Sequence, residues 1–132
     1  MNDKKQKGPV FQLTDADRER YEAMIKRVSL PLDDKLLSSV AKKLETFLEA
    51  EDPNIFEVSL LQNISKLYVL IRDQKNVPDD LMRRIGFALE YFVLDDDDIP
   101  DEIPGLGYMD DAVVVRWIVD QILVDYPEHF TA

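Results

Sequence analysis

The feature that most constrains this chain is the recurrence of apolar residues at three- and four-residue intervals in five separate stretches, each bounded by Pro, Asp or Gly. Thr14 is a suitable N-cap for the first, in which Tyr21, Met24, Ile25 and Val28 repeat before Pro31. Asp33 or Asp34 opens the second. Its stripe of Leu36, Leu37, Val40, Leu44, Phe47 and Leu48 stands opposite Lys42, Lys43, Glu45 and Glu49. Pro53 and Asn54 interrupt that pattern, and the third runs from about 55 to 74 with Leu60, Leu61, Ile64, Leu67, Tyr68 and Ile71 on one broad face, as a central helix requires. Pro78-Asp79-Asp80 starts the fourth, whose stripe is Leu81, Ile85, Ala88, Leu89 and Phe92.

The last pattern, 109–126, contains the β-branched Val113, Val114, Val115, Ile118 and Val119, which favour strands. Its length, Asp110 and Asp111 at its start and the lack of another strand to pair with it decide for helix, since packing outweighs tenths of a kcal/mol of propensity per residue. The expected fold is therefore all-α, a single-domain bundle of about five helices with an acidic Pro/Gly loop at roughly 95–107 and no internal repeat. Residues 1–12 are expected to form a flexible basic tail and 13–132 one helical domain. A chain of 132 residues, 45% of them hydrophobic, can bury one such core.

Several functions are excluded by what the chain lacks. Without cysteine there is no disulfide, thiolate metal site or cysteine nucleophile, and one histidine, His129, expected in a tail, cannot build a His-rich metal cage or a triad on a rigid scaffold. No Gly-rich phosphate loop or nucleophile elbow is present, Gly105 and Gly107 being too short a match. Lys4, Lys5 and Lys7 are not followed by an apolar run, and no stretch approaches the roughly 20 apolar residues of a membrane span, so a soluble, cytoplasmic protein is expected. Asn63-Ile64-Ser65 is a formal glycosylation sequon inside a helical pattern, and is expected to go unused.

Charge is unevenly distributed. Residues 1–50 carry net +1 and 51–94 net −2, whereas 95–132 carry net −10, with Arg116 the only base. Eight carboxylates fall between 95 and 111: Asp95, Asp96, Asp97, Asp98, Asp101, Glu102, Asp110 and Asp111. At a Debye length of about 8 Å their repulsion is substantial. A solvated loop with Asp110 or Asp111 capping the last helix accounts for them, and so does a cation or a basic partner. The overall charge of −11 disfavours direct contact with nucleic acid or anionic lipid.

The stretch from Ala88 to Leu94, followed by Asp97, Ile99, Pro100, Asp101, Ile103, Pro104, Gly107, Asp110 and Asp111, resembles the YkvA-like family of bacterial domains of unknown function, the DUF1232 type. The resemblance covers about 85–123 and implies two helices joined by a loop of the pattern P-x-D-x-I-P-D-x-I-P-x-x-G-x-x-D-D. It implies an architecture and no reaction. The family often looks membrane-associated, but here Asp95 stands where proline is usual and Asp96, Asp98 and Glu102 where apolar residues are usual, which points to a loop in water. Pro100 and Pro104 restrict the loop, Ile99 and Ile103 can plug it onto the core, and Gly105 and Gly107 allow positive φ before the next helix.

No catalytic residue stands out. The expected function is a non-enzymatic protein-interaction or adaptor module that uses 95–111 toward a basic or mixed protein surface. Two alternatives accompany it: a divalent-cation site or metal-dependent enzyme, with Asp97, Asp101, Asp110 and Asp111 as oxygen ligands for Ca²⁺ or Mg²⁺, and an acidic inhibitor that imitates nucleic acid. The EF-hand spacing is absent, so no cofactor is assigned. Trp117, Tyr91, Phe92 and Tyr108 flank the loop and are read as core before docking patch. Arg83, Arg84 and Arg116 are the bases that could meet the acidic loop, although a solvated helix surface is the expected setting for Arg83 and Arg84.

Overall fold

The computed structural model describes residues 12–73, 75–94 and 108–129. Within them lie five α-helices and one 3₁₀ turn: α1 Asp15–Lys26, α2 Asp34–Glu49, α3 Ile55–Asp73, α4 Asp79–Val93, α5 Met109–Asp125 and the turn Pro127–His129, with no strand among the described residues. The all-α expectation holds.

Local chemistry fixes the helix starts. The Thr14 hydroxyl accepts from the Asp17 amide at 3.0 Å while Asp17 accepts from the Thr14 amide at 3.1 Å, so two otherwise orphaned donors of α1 are satisfied reciprocally. Of the two aspartates that could open α2, Asp33 is the N-cap and accepts from the Lys35 amide. Asn54 and Glu57 make the same reciprocal pair at the start of α3, both bonds at 2.8 Å. Pro78 takes the N-cap position of α4, with Asp79 and Asp80 in the first turn. α1 stops at Lys26, so Val28 joins the core from the connection and not from the helix.

Packing follows from how much of each helix is apolar. α3 rests on α5, α2 and α4, and α4 in turn contacts α1, α2 and α5. Leu60, Ile64 and Leu67 of α3, Leu81, Ile85, Leu89 and Phe92 of α4, and Val114, Val115, Ile118 and Ile122 of α5 lose all solvent exposure. A fully buried side chain of this kind contributes on the order of 1.5–3 kcal/mol relative to an exposed one. Leu48, by contrast, lies outside the stripe assigned to it and is exposed. Gly86 lets the α1–α2 connection approach α4, since a Cβ there would fall 2.6 Å from Leu32 Cδ2 and 3.0 Å from Val28 Cγ1. Asn63 is buried within α3, which removes the sequon from reach of a glycosylating enzyme. No described helix is long and apolar enough to cross a membrane.

Chain direction sets the two ends of the bundle. α4 and α5 are antiparallel, because Tyr91 meets Asp110 whereas Arg84 meets Asp125. The C-terminus of α4 and the N-terminus of α5 therefore share one end, and the N-terminus of α4 shares the other with the C-terminus of α5.

Candidate functional site

The α4–α5 corner is held by two side chains of α2, Lys43 and Phe47. Lys43 of α2 donates from Nζ to the Phe92 carbonyl at 2.6 Å, and the same ammonium lies 5.0 Å from the centres of the Phe92 and Tyr108 rings. One cation thus touches the last turn of α4 and the residue that caps α5. Phe47 packs edge-on to Phe92 at 5.4 Å and against Tyr108 at 5.0 Å, closing the same corner from below. Sequence reasoning placed Lys43 on the polar face of α2. The signal was nevertheless present, since Leu36, Val40, Lys43 and Phe47 follow the four-three-four spacing of one helix row.

Tyr108 holds φ 67° and ψ 19°, the left-handed region that a bulky residue enters at a cost of about 1–2 kcal/mol. Its carbonyl accepts the first helical bond of α5 from the Ala112 amide at 2.9 Å, but its side chain caps nothing. Neither Asp110 nor Asp111 is the N-cap. They occupy the first turn of α5 and are 0% exposed, which corrects the reading of these two carboxylates as caps or as part of a solvated charge run. The positive end of the helix dipole favours carboxylates in this first turn, by up to about 2 kcal/mol when partly buried.

Tyr91 closes the acidic turn from the α4 side. Its hydroxyl donates to Asp110 Oδ2 at 3.5 Å, and burial, the neighbouring Tyr21 and the Asp110 and Asp111 carboxylates hold its pKa far above the ordinary phenol value. Behind it, Tyr21 lies 5.9 Å from Tyr91, 5.5 Å from Phe87 and 6.1 Å from Trp117. The aromatics beside the corner are core or packed on core, as the sequence reading preferred: Phe92 is fully buried, and Tyr91, Tyr108 and Trp117 are half-buried.

The bases that could have met the acidic segment point elsewhere. Arg84 pairs with Asp80 at 3.2 Å and Asp125 at 2.8 Å and lies over the Tyr126 ring at 5.8 Å, at the far end of the α4–α5 pair. The Tyr126 hydroxyl adds a bond to Asp80 at 3.1 Å. Arg116 pairs with Asp120 of its own helix at 3.2 Å. His129 belongs to the 3₁₀ turn, 6.1 Å from the Tyr126 ring, and is not a detached tail residue.

Of the candidate site residues, the structure brings together Asp110 and Asp111. Asp95, Asp96, Asp97, Asp98, Ile99, Pro100, Asp101, Glu102, Ile103, Pro104 and Gly107 lie outside the described residues. Among the described residues no group of three or more His, Asp or Glu is placed to hold a metal ion.

The fold and this corner define an all-α protein with a carboxylate-rich turn closed between its last two helices. Residues 83–117, from the first turns of α4 to the middle of α5, match the family described as protein of unknown function, DUF1232. The match supports the YkvA-like resemblance over that range. Comparison with curated proteins gave no match, and comparison with solved structures gave none.

Two outcomes test the corner. Lys43→Met keeps the aliphatic stem but removes a charged hydrogen bond and two ring contacts, and should lower stability in urea by about 1.5–3 kcal/mol, whereas Lys42→Met on the exposed face should change it by less than about 0.5 kcal/mol. The raised phenol pKa of Tyr91 has a definite sign. The folded state holds that proton while the unfolded chain ionises near pH 10, so the stabilisation is complete below about pH 10 and is lost as pH rises beyond it. In denaturation between pH 9 and 11 the wild-type protein should lose more stability than Tyr91→Phe, and equal losses would refute the assignment.

Proposed function

We propose that this chain is a non-enzymatic protein-binding module whose acidic segment, 95–111, recognises a basic or mixed protein surface. The observation that carries this reading is the placement of the arginines. Arg84 is engaged by Asp80 and Asp125 and Arg116 by Asp120, which supports a base from outside as the partner of the acidic segment. Asp110 and Asp111, being buried, act as support for that segment and not as its contact surface. The described surface elsewhere alternates in sign, with Arg18 on Asp15, Arg20 on Asp17 and Arg72 on Asp73, which favours a local recognition patch over the single-sign face that imitation of nucleic acid requires.

The probe is a lysine-rich peptide titrated at two salt concentrations. The triple variant Asp96→Asn, Asp98→Asn, Glu102→Gln should bind it more weakly and with a shallower salt dependence, at unchanged melting temperature. Binding that is the same in the variant refutes this reading.

A second reading is favoured by one observation, the full burial of two adjacent carboxylates, Asp110 and Asp111. Hard cations such as Ca²⁺ or Mg²⁺ take oxygen ligands of this type. Trp117 is a built-in reporter, linked through Tyr21 to Tyr91 and Asp110. A cation held there at a hundredfold excess over Kd should stabilise the fold by about 2.7 kcal/mol and shift Trp117 emission, both lost in Asp111→Asn. No change beyond that of matched ionic strength refutes it.

A further inference from the structure

A groove runs along the seam between the last turns of α1, the α1–α2 connection and the last turns of α4. Its volume is about 570 Å³, within the range of clefts that take a ligand or a few side chains. The floor is apolar and closed, formed by Val28 and Phe87, which are buried. The two walls each present a large apolar side chain to solvent, Met24 of α1 at 46% exposure and Leu94 at the end of α4 at 56%. Exposed apolar groups on facing walls of a concave site mark a surface that gains by being covered.

The polar groups decide what covers it. Glu90 and Asp33 line the groove together with Arg27, leaving a carboxylate in excess. Asp33 is already engaged as the N-cap of α2. Glu90 is different, for it is exposed and among the described residues no Lys, Arg or His lies within ion-pair distance of it. A carboxylate at the rim of an apolar groove, with no cation of its own, is complemented by a cation that a partner brings.

We propose that the α1–α4 groove binds a short segment of another protein that carries a bulky apolar side chain next to a lysine or arginine, with Met24 and Leu94 clasping the apolar group and Glu90 pairing with the base. The site is confined to described residues. The proposal deepens the reading of the chain as a binding module, but it places recognition at Glu90 and Leu94 and not at the acidic segment. Charge complementarity selects a basic partner, and the apolar floor selects one with an anchor. An anchor of this kind, seated at the centre of the contact and shielded from water, carries most of the affinity of such interfaces.

The test titrates the full chain with a labelled ten-residue peptide containing two Phe flanked by Arg, with the same peptide bearing Gly for Phe and with one bearing Gln for Arg. Backbone amide shifts identify the contact surface. The Phe/Arg peptide should bind saturably and shift residues 24, 28, 87, 90 and 94, the Gly and Gln peptides at least tenfold more weakly. Glu90→Gln and Leu94→Ser, both exposed positions at which the fold should persist, should each weaken the Phe/Arg peptide about tenfold with unchanged melting temperature. The triple variant of the acidic segment should change that affinity by less than threefold.

Four results would overturn the proposal: no saturable binding of the Phe/Arg peptide, equal affinity in Glu90→Gln and Leu94→Ser, a rise of more than tenfold on deleting residues 2–11, or loss of binding as the chain self-associates. The third would make the chain's own N-terminal segment the occupant, and the fourth a second copy. If the groove variants are silent while the lysine-rich peptide still responds to the triple variant, the groove proposal fails and the acidic-segment reading stands. The opposite pattern fails that reading and leaves the groove.

Discussion

Everything else in this fold depends on the enclosure of α5. Nine of its seventeen residues are buried, including both aspartates of its first turn, and its exposed polar strip is narrow, with Arg116 paired to Asp120. A helix that is apolar over most of its circumference is stable in water only when neighbours cover it. α3 and α4 supply that cover, and α1 closes the Tyr21–Trp117 side. The intrinsic reluctance of valine and isoleucine to enter helices amounts to tenths of a kcal/mol each, whereas burial of the same side chains contributes a few kcal/mol each. Packing therefore selects the helix that propensity alone disfavours.

Enclosing α5 by its first turn has a consequence for charge. Asp110 and Asp111 are carried into the interior with the helix, where the dipole of α5 and the Tyr91 hydroxyl face them. The left-handed Tyr108 that precedes them is held by Phe47 and by Lys43, so the strain of one residue is offset by contacts from a different helix. Lys43 joins α2 to both sides of the corner, and its ammonium is a cation from the described residues close to where the acidic segment begins and ends. The match to the family of unknown function ends at Trp117, and the residues that brace the corner from outside, Lys43, Phe47 and Tyr21, lie beyond it in α1 and α2. The corner is thus a local unit with supports provided by the rest of this chain.

The sequence by itself determined the helices. The three-and-four spacing of apolar residues, Thr14 and Asp33 as caps, and Pro78 with its two aspartates are local signals, and local hydrogen bonds and burial stripes are what they encode. It also indicated the family segment, because the Asp, Pro and Gly spacing of 97–111 is itself a linear pattern. Tertiary structure alone decided the settings of the charges. Asp110 and Asp111 read as caps or solvated groups because their sequence neighbours are acidic, yet they are buried because α3 and α4 close over the helix that bears them. Lys43 read as surface because lysine usually is, yet it reaches Phe92, forty-nine residues away. Arg84 read as a surface base or a partner for the acidic loop, yet antiparallel α4 and α5 bring it to Asp125 instead. Periodicity states which face of a helix is covered, whereas the sign and distance of a charge's partner depend on which helix does the covering, and that information is distributed over the whole chain.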